Sequence, residues 1–173
     1  DKMLIIPVID LSNGIVVHAV RGKRDTYQPI TSKISANCNL ESILISFFKL
    51  YPFKIIYIAD LDAIQGKKNH SKLISNIANK YKECEFWVDA GLGKILSKNS
   101  DYMEDNIKLI FGAENNISQC DYEKFINTNS DIVLSLDFNE KGLINNSYLL
   151  NEPLIWPKKV LVMMLHLVGS CNG

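Results

Sequence analysis

The feature that most constrains the fold is a strand-like apolar run that ends on a carboxylate and occurs three times. In the first, Met3–Gly14, an apolar run interrupted by Pro7 leads to Asp10 and then to a Ser-Asn-Gly turn. Ile55–Asp62 and Ile132–Asp137 repeat the pattern. Continuous β-branched and aliphatic runs are typical of strands that are buried on both faces, as in parallel sheets. The three runs therefore predict a parallel sheet whose strand ends converge on one polar site.

Predicted strands and helices alternate along the whole chain, which is the pattern of repeated βα units. Three further apolar runs are predicted as parallel strands, at Glu85–Ala90, Ile107–Phe111 and Lys159–Leu165. The short run Ile15–Val20 is predicted as a hairpin arm that follows the first strand. Apolar residues at helical spacing predict helices at Leu40–Leu50, Ser71–Tyr81, Ile95–Met103 and Ser118–Asn127.

Six βα units are compatible with a doubly wound sheet or with a barrel. A doubly wound sheet carries a glycine-rich phosphate-binding turn after its first strand, and Leu11–Gly14 lacks that pattern. A complete barrel has eight strands in about 250 residues, whereas this chain has 173. We therefore predict one α/β domain over residues 1–173, an incomplete TIM (β/α)8-type barrel. A barrel has its active site at the C-terminal ends of its strands, where we expect Asp10, Asp60, Asp62, Asp89 and Asp137.

Composition excludes several classes of function. The formal net charge is zero and no dense basic block is present, so nucleic acid is not an expected partner. No apolar run reaches about 18 residues and the chain does not open on a basic-then-apolar leader, so neither a membrane span nor a signal peptide is predicted. The four cysteines lie far apart without a CxxC pair, so neither a disulfide framework nor a zinc site is indicated. A cytoplasmic location is the default expectation.

A metal site can be considered from the histidines. His18, His70 and His166 could join Asp60 and Asp62 as ligands, but they lie on different predicted elements without ligand spacing. We therefore predict neither a metal site nor a cofactor. The two aspartates are expected to point to opposite faces of their strand, so that only one of them faces the barrel mouth.

Segments spread over the whole chain match one known family in order and spacing. They are Ile6–Gly14 with Val16 and Val17, Ile58–Ala63, Val88–Leu92, Phe111–Gly112 and Ser135–Asp137. These segments resemble the histidine-biosynthesis ribotide isomerase family, the phosphoribosylformimino-aminoimidazole carboxamide ribotide isomerases. That family is a TIM barrel related to the synthase subunit of imidazole glycerol phosphate synthase. The resemblance ends where the family's sixth strand ends.

Three longer segments point to one branch of this family. Val17–Ile30, Trp87–Gly91 and Trp156–Gly169 more closely resemble an offshoot of unsettled function that is associated with methylotrophs and methanogens. Those organisms use pterin-linked one-carbon chemistry. We prefer this closer match.

The resemblance implies an Amadori rearrangement, in which a phosphorylated aminoaldose becomes an aminoketose. Such a reaction needs an acid to open the furanose ring and a base to move the proton on C2, and two carboxyl groups with different pKa values can divide that work. The family uses the aspartates that end strands one and five, which correspond here to Asp10 as the base and Asp137 as the acid. The alternative is that each aspartate only caps a strand end or a helix start.

The resemblance also implies that backbone N–H groups hold phosphate at the glycine-rich turns after strands three and four. Gly91, Gly93, Gly112 and Ala113 match those turns, although glycine there is also ordinary turn chemistry. The family's other phosphate cradle belongs to strands seven and eight. Further substrate-binding candidates are Asp60, His18 and Arg21, the last in a basic cluster with Lys23 and Arg24 that could clamp an anion beside Tyr27.

The chain also departs from the family pattern. A Gly-Gly-Gly-Ile-Arg-type turn in the family corresponds here to Asp89-Ala90-Gly91-Leu92-Gly93, and Ser12 and His18 replace basic residues. A carboxylate beside a phosphate is repulsive. These departures indicate a different ligand or lost catalysis. The competing function is a non-catalytic phosphometabolite-binding or accessory protein in pterin-linked one-carbon cofactor biosynthesis.

Six barrel strands would leave the first and sixth strands with unpaired edges. Three outcomes are compatible with this pattern: a fragment of a longer protein, self-association through the open barrel edges, and a degenerate remnant. We favour the fragment.

Overall fold

The computed structural model describes residues 3–20, 26–31, 33, 35, 37–91, 102, 104–129 and 131–170. Its centre is a nine-stranded sheet. Six of these strands run parallel, each hydrogen-bonded to the next. In chain order they are β1 (Val8–Ser12), β4 (Ile55–Asp60), β5 (Glu85–Asp89), β6 (Ile107–Gly112), β7 (Val133–Asn139) and β9 (Lys159–Met164). All six predicted strands are therefore confirmed.

Three short antiparallel strands complete the sheet. They are β2 (Ile15–His18), β3 (Gln28–Pro29) and β8 (Gly142–Leu143), which pair with β1, β2 and β7 respectively. The predicted hairpin arm is thus confirmed. Its turn is Asn13-Gly14, and both residues have positive φ, 51° and 78°, which an Asn-Gly pair tolerates better than other sequences.

The open side of the barrel lies at β9. Within the described residues β9 pairs only with β7, so its other edge is open as predicted. The matching prediction for β1 is wrong, because β2 pairs with that strand through Asp10↔Val17 and Ser12↔Ile15. The described strands form an incomplete barrel that is not closed between β1 and β9.

The helices follow the parallel strands. Asn39 caps α1 by accepting the N–H of Ser42, and α1 ends before Pro52 at an extended Tyr51. The predicted helices at 40–50, 71–81 and 118–127 are confirmed to within a residue, and that at 95–103 lies outside the described residues. None of the described helices combines the length and apolar character that crossing a membrane requires. The helices are α1 (Leu40–Leu50), α2 (Leu61–Ile64), α3 (Ser71–Lys80), α4 (Gln119–Thr128) and α5 (Tyr148–Asn151), with a 3-10 turn at Pro153–Ile155.

The core is divided by the alternation of side chains along each strand. On β4, Ile56 and Ile58 pack outward in a cluster that also contains residues of α1 and α3, whereas Tyr57 and Ala59 pack inward. The inward cluster also contains Trp87 of β5 and residues of β6 and β7. Residues on the inward face of successive strands therefore share one barrel interior.

At the N-terminal ends of the strands, which form the bottom of the barrel, Glu85 forms an ion pair with Lys159 and a hydrogen bond with Trp87. Lys159 Nζ lies 2.7 Å from Glu85 Oε1 and 5.9 Å from the centre of the Trp87 ring, and the Trp87 indole N–H donates to Glu85 Oε1 at 2.6 Å. Burial favours a higher pKa for Glu85, but the hydrogen bonds from Lys159 and Trp87 hold its pKa below the ordinary value. This group joins β5 to β9 at the bottom of the barrel.

The segment after β9 contacts the segment after β2. Gly169 has φ +65°, and a Cβ atom there would lie 1.9 Å from the carbonyl oxygen of Ala19. Only glycine allows this close approach of two backbones. Leu165 and Val168 of the same segment line the cavity at the other end of the barrel.

Candidate functional site

A cavity of about 180 Å³ lies at the C-terminal ends of the parallel strands. Its lining is partly apolar, with Val8, Ala59, Leu61 and Met163 among the contributing residues. No lysine, arginine or histidine is among the described residues that line it. The polar side chains of the lining are four carboxylates and two tyrosines, namely Asp10, Asp89, Glu114, Asp137, Tyr27 and Tyr57.

The register of the sheet explains why these side chains meet. Asp10 of β1 pairs with Ala59 of β4, and Ala59 pairs with Asp89 of β5, so the three lie in one row across the barrel. Tyr57 precedes Ala59 by two residues and points to the same side, one layer deeper. The predicted catalytic pair, Asp10 and Asp137, lines one cavity from β1 and β7.

Asp137 is the most buried carboxylate of the cavity, with 5% of its surface exposed. Its Oδ1 accepts the Ser135 hydroxyl at 2.6 Å, and its Oδ2 accepts the N–H of Glu114 at 3.3 Å. Burial raises the pKa of Asp137 to about 6, although these hydrogen bonds lower it in part. A Cβ at Gly112 would lie 3.0 Å from Asp137 Oδ2. Gly112 therefore leaves the space that the carboxylate occupies.

Tyr57 lies among all four carboxylates of the cavity. Burial raises the pKa of its hydroxyl well above the ordinary value, and the nearby charges of Asp89, Asp137, Asp10 and Glu114 raise it further. The hydroxyl is therefore protonated and neutral at physiological pH. The tyrosine is only 7% exposed and lines the cavity.

The amides predicted to hold phosphate already have partners. The N–H of Gly91 donates to Asp89 Oδ1 at 3.1 Å, and the N–H of Ala113 donates to the Ser135 carbonyl at 2.7 Å. Gly91 also has φ +76°, and a Cβ there would lie 3.0 Å from Ile64 Cα. A phosphate at either amide would have to displace a hydrogen bond. Phosphate binding at Gly91, Gly112 and Ala113 stays a prediction, and Gly93 lies outside the described residues.

Two further predicted binding residues that the structure describes, Asp60 and His18, do not line the cavity. Asp60 follows Ile56 and Ile58 on the outward-facing side of β4, and its Oδ1 caps α2 by accepting the N–H of Ala63 at 3.1 Å. His18 is exposed at the end of β2. Arg21 lies outside the described residues.

Asp60, Asp62 and His70 form a cluster in which one ligand-type atom from each lies within 4.8 Å of the others. His70 Nδ1 lies 3.1 Å from Asp60 Oδ1, and His70 Nε2 lies 3.7 Å from Asp62 Oδ2. The prediction that the two aspartates point to opposite faces is wrong. Asp62 already belongs to α2, and both carboxylates face His70.

Hydrogen bonds to the main chain explain this cluster. Asp60 Oδ2 accepts the backbone N–H of His70 at 2.7 Å and the Tyr102 hydroxyl at 3.3 Å. Asp62 Oδ2 accepts the N–H of Asn13 at 2.5 Å. Both oxygens of Asp60 are therefore engaged by donors, and the cluster links α2 and α3 to the first hairpin turn. The rejection of these residues as ligands rested on their spacing along the chain, which did not show that they meet in space.

Sequence reasoning missed two residues of the cavity. Tyr57 could have been found, because period-two alternation places it on the same face as Ala59 and opposite to Ile56 and Ile58. Glu114 carried a weaker signal, its position directly after the Gly112-Ala113 turn. Both residues line the cavity together with the predicted aspartates.

An incomplete parallel α/β barrel with acidic side chains converging at its strand ends belongs to the class of TIM-barrel proteins. A profile described as "Histidine biosynthesis protein" matches residues 4–156. An uncharacterized protein of Methanocaldococcus jannaschii is 35% identical over an alignment of 178 positions. The alignment covers 99% of this chain and 73% of that protein. The chain belongs to the histidine biosynthesis protein family. The resemblance in the sequence is thereby confirmed, and an uncharacterized archaeal relative agrees with an offshoot of unsettled function.

Proposed function

We propose that this protein is an isomerase that converts a phosphorylated aminoaldose into the corresponding aminoketose. The observation that carries the proposal is the arrangement of Asp10 and Asp137, which line one cavity from opposite sides of the described barrel. Their environments differ, because Asp137 is buried and Asp10 is only half-buried. Two carboxyl groups in unlike surroundings are suited to act as acid and base.

The first step is ring opening, with Asp137 as the acid. Its carboxyl group donates a proton to the furanose ring oxygen while the bond between that oxygen and C1 breaks. The lone pair of the C1 nitrogen forms the C1=N bond, which leaves a protonated imine and an Asp137 carboxylate. A pKa of about 6 keeps a useful fraction of Asp137 protonated near neutral pH.

The second step is proton removal, with Asp10 as the base. Its carboxylate takes the proton from C2, the C–H electron pair forms the C1=C2 bond, and the imine π pair returns to nitrogen. The enaminol then loses its hydroxyl proton and gains a proton at C1, which gives the aminoketose. The reaction is balanced without an oxidant or a reductant.

The phosphate groups of this substrate would need contacts beyond the described lining of the cavity. Arg21 and Gly93, two predicted contacts, lie outside the described residues, and the amides of Gly91 and Ala113 are engaged elsewhere. Phosphate recognition is therefore supported by family membership rather than by the cavity. A phosphoribosyl substrate and a link to one-carbon metabolism are proposals on the same basis.

The test is a turnover assay with the histidine-pathway aminoaldose ribotide, together with calorimetric titration. Asp10→Asn and Asp137→Asn each remove one proton-transfer group and should reduce turnover by at least about 100-fold. The matched control is Asp105→Asn, because Asp105 is an exposed aspartate outside the cavity. Turnover that survives either active-site substitution would contradict the assigned roles.

A binding result without turnover would favour the second candidate. That candidate is a non-catalytic phosphometabolite-binding or accessory protein in pterin-linked one-carbon cofactor biosynthesis. The observation in its favour is the departure from the family pattern at Ser12, His18 and Asp89, which indicates lost catalysis or a different ligand. Absence of both binding and turnover would overturn the isomerase proposal for this substrate.

A further inference from the structure

Two consecutive asparagines after β8 have an unusual backbone conformation. Asn145 and Asn146 have φ angles of 53° and 44°, in the left-handed region that residues other than glycine rarely adopt and that costs free energy. The pair directly follows Ile144, whose N–H donates to the carbonyl oxygen of Asp137 at 2.8 Å. The chain therefore leaves Asp137, turns back through β8, and reaches the two asparagines next to that residue.

The side chains of the two asparagines bind a second turn, the turn after β6 (residues 113–117). Asn145 Nδ2 donates to the carbonyl oxygen of Glu114 at 2.7 Å. Asn146 Nδ2 donates to the carbonyl oxygen of Ala113 at 3.0 Å and also to that of Asn115. Two side chains from the loop after β8 therefore bind three successive carbonyl groups of the turn after β6.

The N–H groups of the same turn point to the candidate site. The N–H of Glu114 donates to Asp137 Oδ2 at 3.3 Å, and the N–H of Ala113 donates to the carbonyl oxygen of Ser135 at 2.7 Å. Burial raises the pKa of Asp137, and hydrogen bonds from the Ser135 hydroxyl and from the amides of Glu114 and Ala113 lower it in part. The position of this turn therefore affects the protonation of Asp137.

We propose that Asn145 and Asn146 are positioning residues that hold the turn after β6 with its N–H groups toward Asp137, and so control how readily that carboxyl group releases its proton. Neither asparagine is among the described residues that line the cavity, so both act through the turn. The consequence for catalysis rests on the proposed function, in which Asp137 is the acid of ring opening.

Ordinary turn chemistry is the alternative explanation of the two asparagines. Asparagine tolerates positive φ better than most residues do, and glycine adopts this conformation more easily still. A pair that serves only the backbone should therefore accept glycine without loss. A pair that positions the turn after β6 should not, because glycine retains the backbone conformation and removes the side-chain hydrogen bonds.

Other titratable groups also act on Asp137. They line the cavity from β1, β4, β5, the turn after β6 and the segment before β3, and they are Asp10, Tyr57, Asp89, Glu114 and Tyr27. The negative charge of Glu114 raises the pKa of Asp137, whereas its N–H lowers it. Glu114→Gln removes the charge and retains the N–H, so it should lower the pKa of Asp137 and separates the two contributions.

The experiment measures the pKa of Asp137 directly, by NMR titration of the full chain with carbon-13 in its aspartate side chains. Asp137→Asn identifies the signal. Asn146→Gly should raise the pKa of Asp137 by at least about 0.5, because its carboxylate loses part of its N–H donation. Asn145→Gly should change the pKa in the same direction by less, because its side chain makes one of these hydrogen bonds rather than two.

Asn13→Gly is the matched control. Asn13 also has a positive φ, 51°, but among the described residues its side chain contacts only the neighbouring Ser12, at 3.5 Å. The pKa of Asp137 should therefore stay unchanged in this variant. An unchanged or lower pKa in both Asn146→Gly and Asn145→Gly would overturn the proposal, as would an equal rise in Asn13→Gly. If thermal denaturation shows that Asn146→Gly does not fold, Asn145→Gly decides the question.

Turnover of the aminoaldose ribotide is the second measurement. Asn146→Gly should lower kcat by about 10-fold and leave KM within about twofold, because the acid is less well placed while the substrate contacts remain. The pH above which kcat falls should increase together with the pKa of Asp137.

The positioning role and the proposed function can fail separately. A raised pKa in the glycine variants without turnover by the wild type would retain the positioning role and reject the isomerase. Turnover that depends on Asp137, with no change of its pKa in the glycine variants, would reject the positioning role and retain the isomerase.

Discussion

The two ends of the barrel shift the pKa of a carboxyl group in opposite directions. At the bottom, Glu85 accepts hydrogen bonds from Lys159 and Trp87, and its pKa is held below the ordinary value. At the mouth, Asp137 shares a cavity with three other carboxyl groups, and burial raises its pKa to about 6. The same chemical group is thus ionised more easily at one end and less easily at the other.

The difference shows what a carboxylate needs in order to contribute to stability. Burial alone favours the neutral form at both ends. Positively charged and N–H donors reverse that effect at Glu85, whereas one hydroxyl and backbone donors reverse it only in part at Asp137. Interactions within the fold therefore keep Glu85 ionised at the bottom of the barrel, whereas Asp137 at the mouth has a pKa closer to neutral pH.

The largest effect is expected at Asp60, a fully buried carboxylate with donors on both oxygens. If hydrogen-bond donors determine how much a buried carboxylate stabilises the fold, Asp60→Ala should lower the free energy of unfolding by about 3–4 kcal/mol. The reason is that the N–H groups of Ala63 and His70 lose their acceptor. Urea denaturation measures this loss. Asp60→Asn retains one acceptor oxygen and should cost clearly less. A loss below about 1 kcal/mol for the alanine variant would contradict the comparison.

The next effect concerns Asp137 and depends on pH. Its pKa is raised from 3.8 to about 6, so the folded state binds a proton more tightly than the unfolded state. The resulting stabilisation is complete below pH 4 and is lost as the pH rises to about 6, a change of about 3 kcal/mol. Asp137→Asn lacks this titration. Its stability relative to the wild type should therefore increase by about that amount between pH 4 and 7.

Urea denaturation of both proteins at a series of pH values checks this expectation. Asp105→Asn is the control, since an exposed aspartate should leave the difference independent of pH. A difference that stays flat for Asp137→Asn as well would show that the carboxyl group is not held in its neutral form at the mouth.

The smallest effect is expected at the bottom of the barrel. Lys159→Met should lower the free energy of unfolding by about 1–2 kcal/mol, because Glu85 loses a hydrogen bond to a charged donor in a partly exposed site. Since the pKa of Glu85 is lowered, this contribution should be present above pH 4.5 and lost as the pH falls through the folded-state value. Combination with Glu85→Gln in a double-mutant cycle isolates the pair.

Lys124→Met is the matched control for that cycle. Lys124 lies 3.7 Å from Asp121 on an exposed helix surface, where such pairs contribute little. An effect of Lys159→Met no larger than that of Lys124→Met would show that the bottom group is not a stabilising feature.

The strands could be predicted from the sequence. Which side of the sheet each side chain points to could be predicted only in part. Burial on both faces leaves a continuous apolar run, so β4 and β7 were recognisable together with the carboxylates at their ends. Whether such a carboxylate faces inward depends on one residue of register. Asp137 has the inward parity and lines the cavity, whereas Asp60 has the outward parity and caps α2.

The remaining parts of the site depend on contacts between distant segments. Asp60 and His70 meet across ten residues, and Asn13 meets Asp62 across 49. No local pattern marks such pairs, because hydrogen bonds of this kind follow from how helices lie on the sheet. Glu114 lines the cavity for a similar reason, because its backbone N–H donates a hydrogen bond to Asp137 of the next strand.

The approach of Gly169 to Ala19 has a consequence for sequence variation. Gly169 is an exposed position, and exposed positions usually accept many residue types. Here a single added methyl group would overlap the Ala19 carbonyl oxygen at 1.9 Å and would also strain a backbone with φ +65°. The neighbouring backbone, rather than solvent access, therefore limits which residues can occupy position 169. Substitution at this exposed position should be as restricted as substitution at a tightly packed core position.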